Sequence, residues 1–456
     1  MNPITIPNIT IPIIGLPTIG IPSVGFPSAS GGGGLSWPAG MKEHIKAIYD
    51  PKKQGITNFD VIESYTEDFT TWRYLDSRGI ATITGSTIHI TEAKSIQGIV
   101  EDNKEPYSDI KILVQGVTAD NPLNVRDING TKAVIDKDGV YEFKDNGLYF
   151  GFGFSKVGVV DVTITQLPTS ILKDLSGNGN HAYLYGGKGK LNSGMGLYKV
   201  DFTSWRKSSV QTEVKPDVVK VTPNTSNYLF IQYANSVEIP SYKIKVIGLG
   251  DNVLKYQYAT ENGRKEINIV EGENELPTSI KVSNDYQIGY RLTPGTSVFT
   301  ITQIPDYPDQ LCYDGKMYAV CYGFPILTDY TVMAERTWFE RQNRACFLSK
   351  ITTSGTGAFG FEFYNEYNED TTYSFGRANN VEYFKDGITY QITNSYNGIV
   401  KLDYIVNGKD NAELYIGKLR PSERPAFIGC HGTIIVADRS FTEEEINWLK
   451  QNWDKI

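Results

Sequence analysis

Between Met1 and Gly34 the sequence carries no charged residue and repeats a five-residue unit, reading IPNIT, IPIIG, LPTIG, IPSVG, FPSAS from Ile6. Proline stands at Pro7, Pro12, Pro17, Pro22 and Pro27. Each one removes a backbone donor and clashes with the turn before it, so no α-helix runs through the segment. The residue before each proline is pushed toward extended backbone as well. At about 3.1 Å per residue, a polyproline II path through this stretch reaches on the order of 90 Å. Disordered linkers are usually polar because they bury nothing, whereas this thread is apolar and gains by being covered. Two further copies of itself, or the surface of another protein, would cover it. Pro7, Ile11, Pro12, Leu16, Pro17, Ile21, Pro22, Phe26 and Pro27 are therefore the expected assembly anchor, with a low-complexity leader as the plainer alternative. The segment lacks the basic n-region of a signal peptide. Its prolines break the run a membrane helix needs, so no membrane insertion is expected. Gly31 to Gly34 read as a hinge.

The 456 residues are enough for several domains with real cores. A net charge of −8 without a long run of either sign gives no nucleic-acid footprint. Aromatic residues make up 12%, beside 44 Gly and 21 Pro, a mixture that favours strands and turns over helices. Cys312, Cys321, Cys346 and Cys430 lack close metal-type spacing. Assembly in a reducing cytoplasm is the simpler reading, with a Cys312 to Cys321 disulfide as the exception to test.

From Ile80 onward, short alternating runs bounded by Gly, Asn, Asp or Pro mark antiparallel strands: IATITGSTIHITE, DIKILVQGV, KAVIDKDGVYEFKD, VVDVTITQLP. The pattern returns further on. Ile110 to Gly116 (IKILVQG) matches Ile244 to Gly250 (IKVIGLG) at an offset of 134, and Thr163 to Pro168 (TITQLP) matches Thr300 to Pro305 (TITQIP) at 137. Two matches in the same order predict two sister β-sandwiches.

Between them, Leu172 to His181 reads LKDLSGNGNH, a tight turn in which Asp174 can bond backbone donors and Gly and Asn tolerate positive φ. Asp174, Asn178 and Asn180 could alternatively hold calcium through oxygen ligands. Near the end, Thr442 with Glu445 forms a capping box, and Ile446, Leu449 and Trp453 share a helix face that should pack on a sandwich. The string DLSGNGNH, the stretches LCYDGKMY (Leu311 to Tyr318) and TDYTV (Thr328 to Val332), and GTIIVADRSFTEEEI (Gly432 to Ile446) resemble laminin-G-like, concanavalin A-type jelly rolls. Together with the apolar thread and YDPKKQGITN (Tyr49 to Asn58), they resemble virion proteins of tailed phages and prophages of gut Bacteroidetes.

That resemblance implies an all-β chain in nested order. An extended anchor and hinge occupies 1–34. A concanavalin A-like jelly-roll sandwich starts at 35–76, continues at 169–206 and is completed by 306–456 with a short C-terminal helix. Two related small β-sandwich domains are inserted at 77–168 and 207–305. The function it implies is a virion structural protein, a fibre or decoration appendage assembled in the host cytoplasm. Its expected partners are capsid or tail proteins, two further copies in a homotrimer, and a host surface glycan. A carbohydrate-binding adhesin and a polysaccharide hydrolase are the alternatives.

No cofactor, metal or catalytic residue is expected. Hydrolytic jelly rolls set carboxylates on one strand face as E-x-D-x-x-E. The nearest string here, Glu362 to Glu366, lacks the middle Asp. His44, His89, His181 and His431 are scattered without a second ligand at metal spacing. The aromatic run from Phe359 to Tyr373 carries rings on both faces of an expected strand, and Tyr364, Tyr367 and Tyr373 are the candidate sugar-stacking residues.

Overall fold

The structure, a computed structural model, describes residues 35–56, 65, 69–72, 79–93, 99–101, 110–127, 130–143, 150–187, 191–207, 211–223, 228–325, 327, 329–340, 345–350, 359–364, 371–375, 379–394, 413–419 and 426–456. The anchor residues from Pro7 to Pro27 lie outside them.

A 3-10 turn, Lys42–His44, leads into strand β1 (Ile45–Tyr49), and the chain then leaves for a first insert. This contains β2 (Gly79–Thr84), β3 (Thr87–Ala93), β4 (Ile99–Glu101), β5 (Ile110–Gln115), β6 (Leu123–Asp127), β7 (Gly130–Ile135), β8 (Gly139–Phe143), β9 (Phe150–Phe154) and β10 (Gly158–Gln166). It returns for β11 (Ile171–Leu172), β12 (Ala182–Tyr185) and β13 (Gly194–Leu197). A second insert follows: β14 (Arg206–Lys207), β15 (Gln211–Val214), β16 (Val218–Thr222), β17 (Tyr228–Tyr233), β18 (Tyr242–Ile247), β19 (Val253–Thr260), β20 (Gly263–Ile269), β21 (Gly272–Leu276), β22 (Gln287–Thr293) and β23 (Phe299–Ile304). The last part holds β24 (Asp306–Asp314), β25 (Tyr318–Cys321), β26 (Thr331–Glu340), β27 (Ala345–Lys350), β28 (Phe359–Tyr364) and β29 (Thr371–Phe375). After these come β30 (Asn379–Lys385), β31 (Ile388–Asn394), β32 (Leu414–Ile416), β33 (Ile428–Ala437) and helix α1 (Glu443–Asn452).

The pairing shows the nesting. One sheet of the large sandwich runs β13-β24-β33-β26-β31-β30 with β1 beside β33, and the other runs β11-β12-β25-β32-β27-β28-β29. Strands from both ends of the chain thus share one sheet, with Tyr49 opposite Ile434. Tyr49, Leu184, Leu311, Tyr313, Phe347, Ile434 and Val436 fill the space between the sheets. The fold is all-β, a large sandwich carrying two smaller related ones. Among the described residues no helix is long and apolar enough to cross a membrane.

Each insert is itself a two-sheet sandwich. The first stacks β2-β3-β10-β5-β8 on β4-β9-β6-β7, and the second stacks β15-β16-β23-β18-β21 on β14-β17-β22-β19-β20. Matched strand for strand, both follow the double Greek-key order of a jelly roll. The matched register corrects the repeat. Gln166 pairs with Ile112, and Gln303 pairs with Ile244, so Ile112 rather than Ile110 is the counterpart of Ile244 and the offset is 132. Gly116 and Gly248 confirm it: both have positive φ, 86° and 84°, and both lie against a neighbouring carbonyl, that of Asp161 in β10 or of Val298 just before β23. A slip of two residues keeps every side chain on its face, so alternation in the sequence does not separate the two registers. The cores also begin earlier than the runs of strands. Phe69 with Trp72, and Phe202 with Trp205, open the two insert cores as the matched strings FTTW and FTSW, 133 residues apart.

The first insert docks through Leu113 and Leu167 on the outer face of the large sandwich, against Tyr183, Tyr185, Val320 and Tyr415. The second hangs on an antiparallel neck of β13 and β24, where Gly196 (φ 82°) lets Pro305 approach. In the turn 172–181, Asp174 Oδ1 accepts from Ile48 N (3.0 Å) and Ser176 N (2.8 Å), and Oδ2 accepts from Ser176 Oγ (2.8 Å) and Asn180 N (3.1 Å). Asn178 and Asn180 donate their amides to the Ile45 and Lys46 carbonyls at 2.8 and 2.7 Å. The side chains of this turn thus hold β1 in place. At α1 the capping box forms as expected, and Leu449 and Trp453 are buried on the large sandwich with Ile446 partly so.

All four cysteines are buried free thiols, which corrects the Cys312 to Cys321 disulfide. Cys312 stands opposite Cys430, and Cys321 opposite Leu414 in the other sheet, because β24 and β25 separate into different sheets after the Asp314-Gly315 turn.

Candidate functional site

On the outer face of the sheet that holds β33, beside α1, a cleft of about 590 Å³ opens between the turn after β1, the start of β24, the β30–β31 hairpin and the 3-10 turn Trp453–Lys455. Its volume lies in the range of small-ligand sites. Its lining includes Asp50, Asp309, Glu335, Asp386 and Asp454, two cations, Lys52 and Lys53, and the rings of Tyr307, Tyr390 and Trp453.

Glu335 forms the floor. The β26–β33 register shifts between Ala334 and Arg336, so Gly432 and Thr433 of β33 both face this one residue. A bulge of this kind re-aims a side chain and turns up beside functional sites. Gly432 makes room for it, since a Cβ there would collide with the Glu335 carboxylate. Glu335 accepts from Gln310 Nε2 at 2.9 Å, Trp453 Nε1 at 3.1 Å and Thr433 N at 3.3 Å. Burial nevertheless raises its pKa above the ordinary glutamate value, against the pull of the Trp453 and Thr433 donors and with a smaller push from the charge of Asp50. Asp50, a buried residue beside it, accepts from Thr433 Oγ1 at 3.2 Å and from Lys53 N at 3.0 Å. One threonine therefore bridges two carboxyl groups.

The rim is set by local backbone. Asp386 and Gly387, at φ 51° and 79°, form the two-residue turn of the β30–β31 hairpin, where an Asp-Gly pair suits the twist of the strands. Tyr307 sits at φ 50° at the start of β24 with its ring 5.4 Å from Phe339. Tyr390 and Trp453 meet edge to face at 5.5 Å in the wall. Lys52 pairs with Asp309 at 2.6 Å, and Lys385 with Asp454 at 2.9 Å.

The cleft is not where the sequence pointed. Tyr364 and Tyr373 lie on β28 and β29, at the far edge of the other sheet, and their side chains, like all of Tyr367, are outside the described residues. Glu362 and Glu366 are in the same position. The histidines have local roles: His44 and His89 meet Asp438 and Asp161 at 2.7 and 2.8 Å, and His181 Nδ1 accepts from Asp174 N at 3.0 Å. His431 is buried beside Tyr313, and burial lowers its pKa to about 4. Among the described residues no cluster of His, Cys, Asp and Glu has the arrangement of a metal site.

No protein-family model matches the chain, and no curated protein does. Among solved structures it is similar to Trypanosoma rangeli sialidase in complex with sialic acid, at 10% identity over 86% of this chain and 85% of that chain, with a TM-score of 0.22. The same sialidase in complex with the inhibitor DANA matches at 10% identity over 86% of each chain, TM-score 0.20. Likeness at that level carries no argument about fold or function.

Proposed function

We propose that this chain is an appendage of a phage virion, a fibre or decoration protein held to capsid or tail through its pentad segment, and that its large sandwich contacts a host saccharide through the cleft. The pentads and the phage-like strings support the attachment half. The observation that carries the saccharide half is the cleft, where carboxyl groups line a cavity beside aromatic rings. Ordered carboxyl groups take hydrogen bonds from sugar hydroxyls, and rings give their apolar faces a surface to lie on. With five acids against two lysines in the lining, the cleft favours a neutral saccharide over an anionic one. Titration of neutral and sialylated oligosaccharides into the full chain tests this. Asp386→Asn keeps a residue that tolerates positive φ and is expected to weaken neutral-sugar binding about fivefold, as a charge-assisted hydrogen bond becomes a neutral one. Binding that is unchanged, or confined to sialylated sugars, sinks the saccharide half. For the attachment half, a chain starting at Leu35 should fail to join particles and lose the trimeric mass of the full chain.

One observation favours hydrolysis as a second reading: a carboxyl group with a raised pKa stands near a second one, the pattern of a general acid with its partner. Against it, both Glu335 oxygens are taken by protein donors, and a general acid must aim its proton at the substrate. Turnover of a polysaccharide that disappears in Glu335→Gln would decide for the enzyme.

A further inference from the structure

Cys312 of β24 stands directly opposite Cys430 of β33, and both side chains are completely buried. Directly opposed residues of antiparallel strands have Cα atoms about 4.5 or 5.5 Å apart, within the span of a disulfide. The two thiols also converge. Cys312 Sγ lies 3.9 Å from the Gln310 carbonyl oxygen, and Cys430 Sγ donates to Gln310 Oε1 at 2.8 Å. Burial, and next contact with the Cys312 thiol, hold the Cys430 thiol far above its usual range. In strand register Cys321 stands opposite Leu414 and Cys346 opposite Glu362.

We propose that Cys312 and Cys430 are a disulfide site, closed by exchange with a low-molecular-weight disulfide when the chain folds in an oxidising environment. One protein thiol loses its proton to solvent, and its sulfur attacks the small disulfide, releasing one small thiol and leaving a mixed disulfide. The second protein thiol then loses its proton and attacks the protein sulfur of that bond, releasing the second small thiol. Two protein thiols and one small disulfide become one protein disulfide and two small thiols. Buried thiols are inert toward solvent, so the exchange takes place while β24 and β33 are apart, as the chain folds. The same burial afterwards shields the bond from reductant.

The link would join strands 118 residues apart at the middle of the sheet, β24 leaving the second insert and β33 completing the fold. It would also remove the proton that Cys430 donates to Gln310, whose amide donates to Glu335 on the floor of the cleft.

The test is a thiol count on the full chain, unfolded in denaturant with reductant and refolded either in glutathione with glutathione disulfide or in dithiothreitol alone. After alkylation, the oxidised sample should carry two blocked cysteines, Cys321 and Cys346, and yield one cross-linked peptide pair containing Cys312 and Cys430. The dithiothreitol sample should carry four. A loop of this length predicts an unfolding constant lower by on the order of a hundredfold to a thousandfold in the oxidised form. Cys321→Ala with Cys346→Ala should still form the link, and Cys430→Ser should not. Four free thiols under both conditions, glutathione adducts without a cross-link, or a link through Cys321 or Cys346 would overturn the proposal. The same count on protein produced in an oxidising compartment gives the answer without refolding. None of these readouts depends on saccharide binding or attachment.

Discussion

The two inserts share a strand order and differ in what fills them. Where the first sets Val125 across from Phe152, the second sets Tyr256 across from Tyr290, and all four are buried. The opening tryptophan adapts: Trp72 stacks on Phe152 at 5.5 Å and 20°, whereas Trp205 tilts against Tyr290 at 5.9 Å and 34°. In the second core Tyr242 and Tyr290 satisfy each other through a 2.9 Å contact between their hydroxyls. One strand order is thus kept with different inward residues, whose identity sets how the frame is filled. Such a frame tolerates sequence divergence wherever volume and burial are kept.

The strongest way to break the comparison is to remove the shared tryptophan. Trp72→Ala and Trp205→Ala should each cost about 3–5 kcal/mol in their own insert and leave the other almost untouched. Calorimetry of the full chain should show one transition moving in each variant, and a different one. If a single variant lowers every transition, the inserts are not independent units. A smaller and asymmetric effect is expected when the fillings are exchanged one atom at a time. Tyr290→Phe removes the partner of the Tyr242 hydroxyl and should cost about 1–2 kcal/mol. Phe152→Tyr places a new hydroxyl in a packed apolar core and should cost about 1–3 kcal/mol. Denaturant midpoints that stay put in both variants would mean that the two cores do not differ in the way described.

Much of this frame was legible in the sequence. Alternating runs gave the strands, LKDLSGNGNH gave the turn, and Thr442 with Glu445 gave the start of α1, because each is settled within ten residues. FTTW and FTSW could have been matched in the same way, since a Phe and Trp three apart at an offset of 133 is as visible as TITQ. The register of Ile112 was out of reach, as a two-residue slip costs the pattern nothing. The cleft was out of reach for a different reason: Asp50, Glu335, Asp386 and Trp453 come from four parts of the chain and meet only through β1–β33 pairing, a bulge, a hairpin turn and a docked helix. No spacing rule joins residues 50 and 453. The Cys312–Cys430 pair has the same character, a consequence of register between distant strands.

The smallest effect concerns a loop rather than a core, and it separates the inserts most cleanly. Asp251 and Asn252 precede Leu254 as Asp120 and Asn121 precede Leu123, so the acids occupy matching places. Asp251 accepts from Thr296 N (2.9 Å), Ser297 N (3.0 Å), Thr296 Oγ1 (3.1 Å) and Ser297 Oγ (2.9 Å), tying the β22–β23 loop. Among the described residues Asp120 has no counterpart to these bonds. The donors, led by Thr296 N, hold the Asp251 pKa well below the ordinary carboxylate value even though the group is exposed. Its folded pKa is depressed, so the stability it adds is present above the unfolded value, near pH 4, and is lost as pH falls through the folded value. Asp251→Asn should therefore destabilise the second insert at neutral pH and flatten its acid limb below about pH 4, while Asp120→Asn, which breaks no such set of bonds, costs the first insert little at neutral pH. Melting of the two variants between neutral pH and strong acid checks this. Equal losses of stability in the two at neutral pH would show that the loop is held by its backbone alone, with the matched acids equivalent after all.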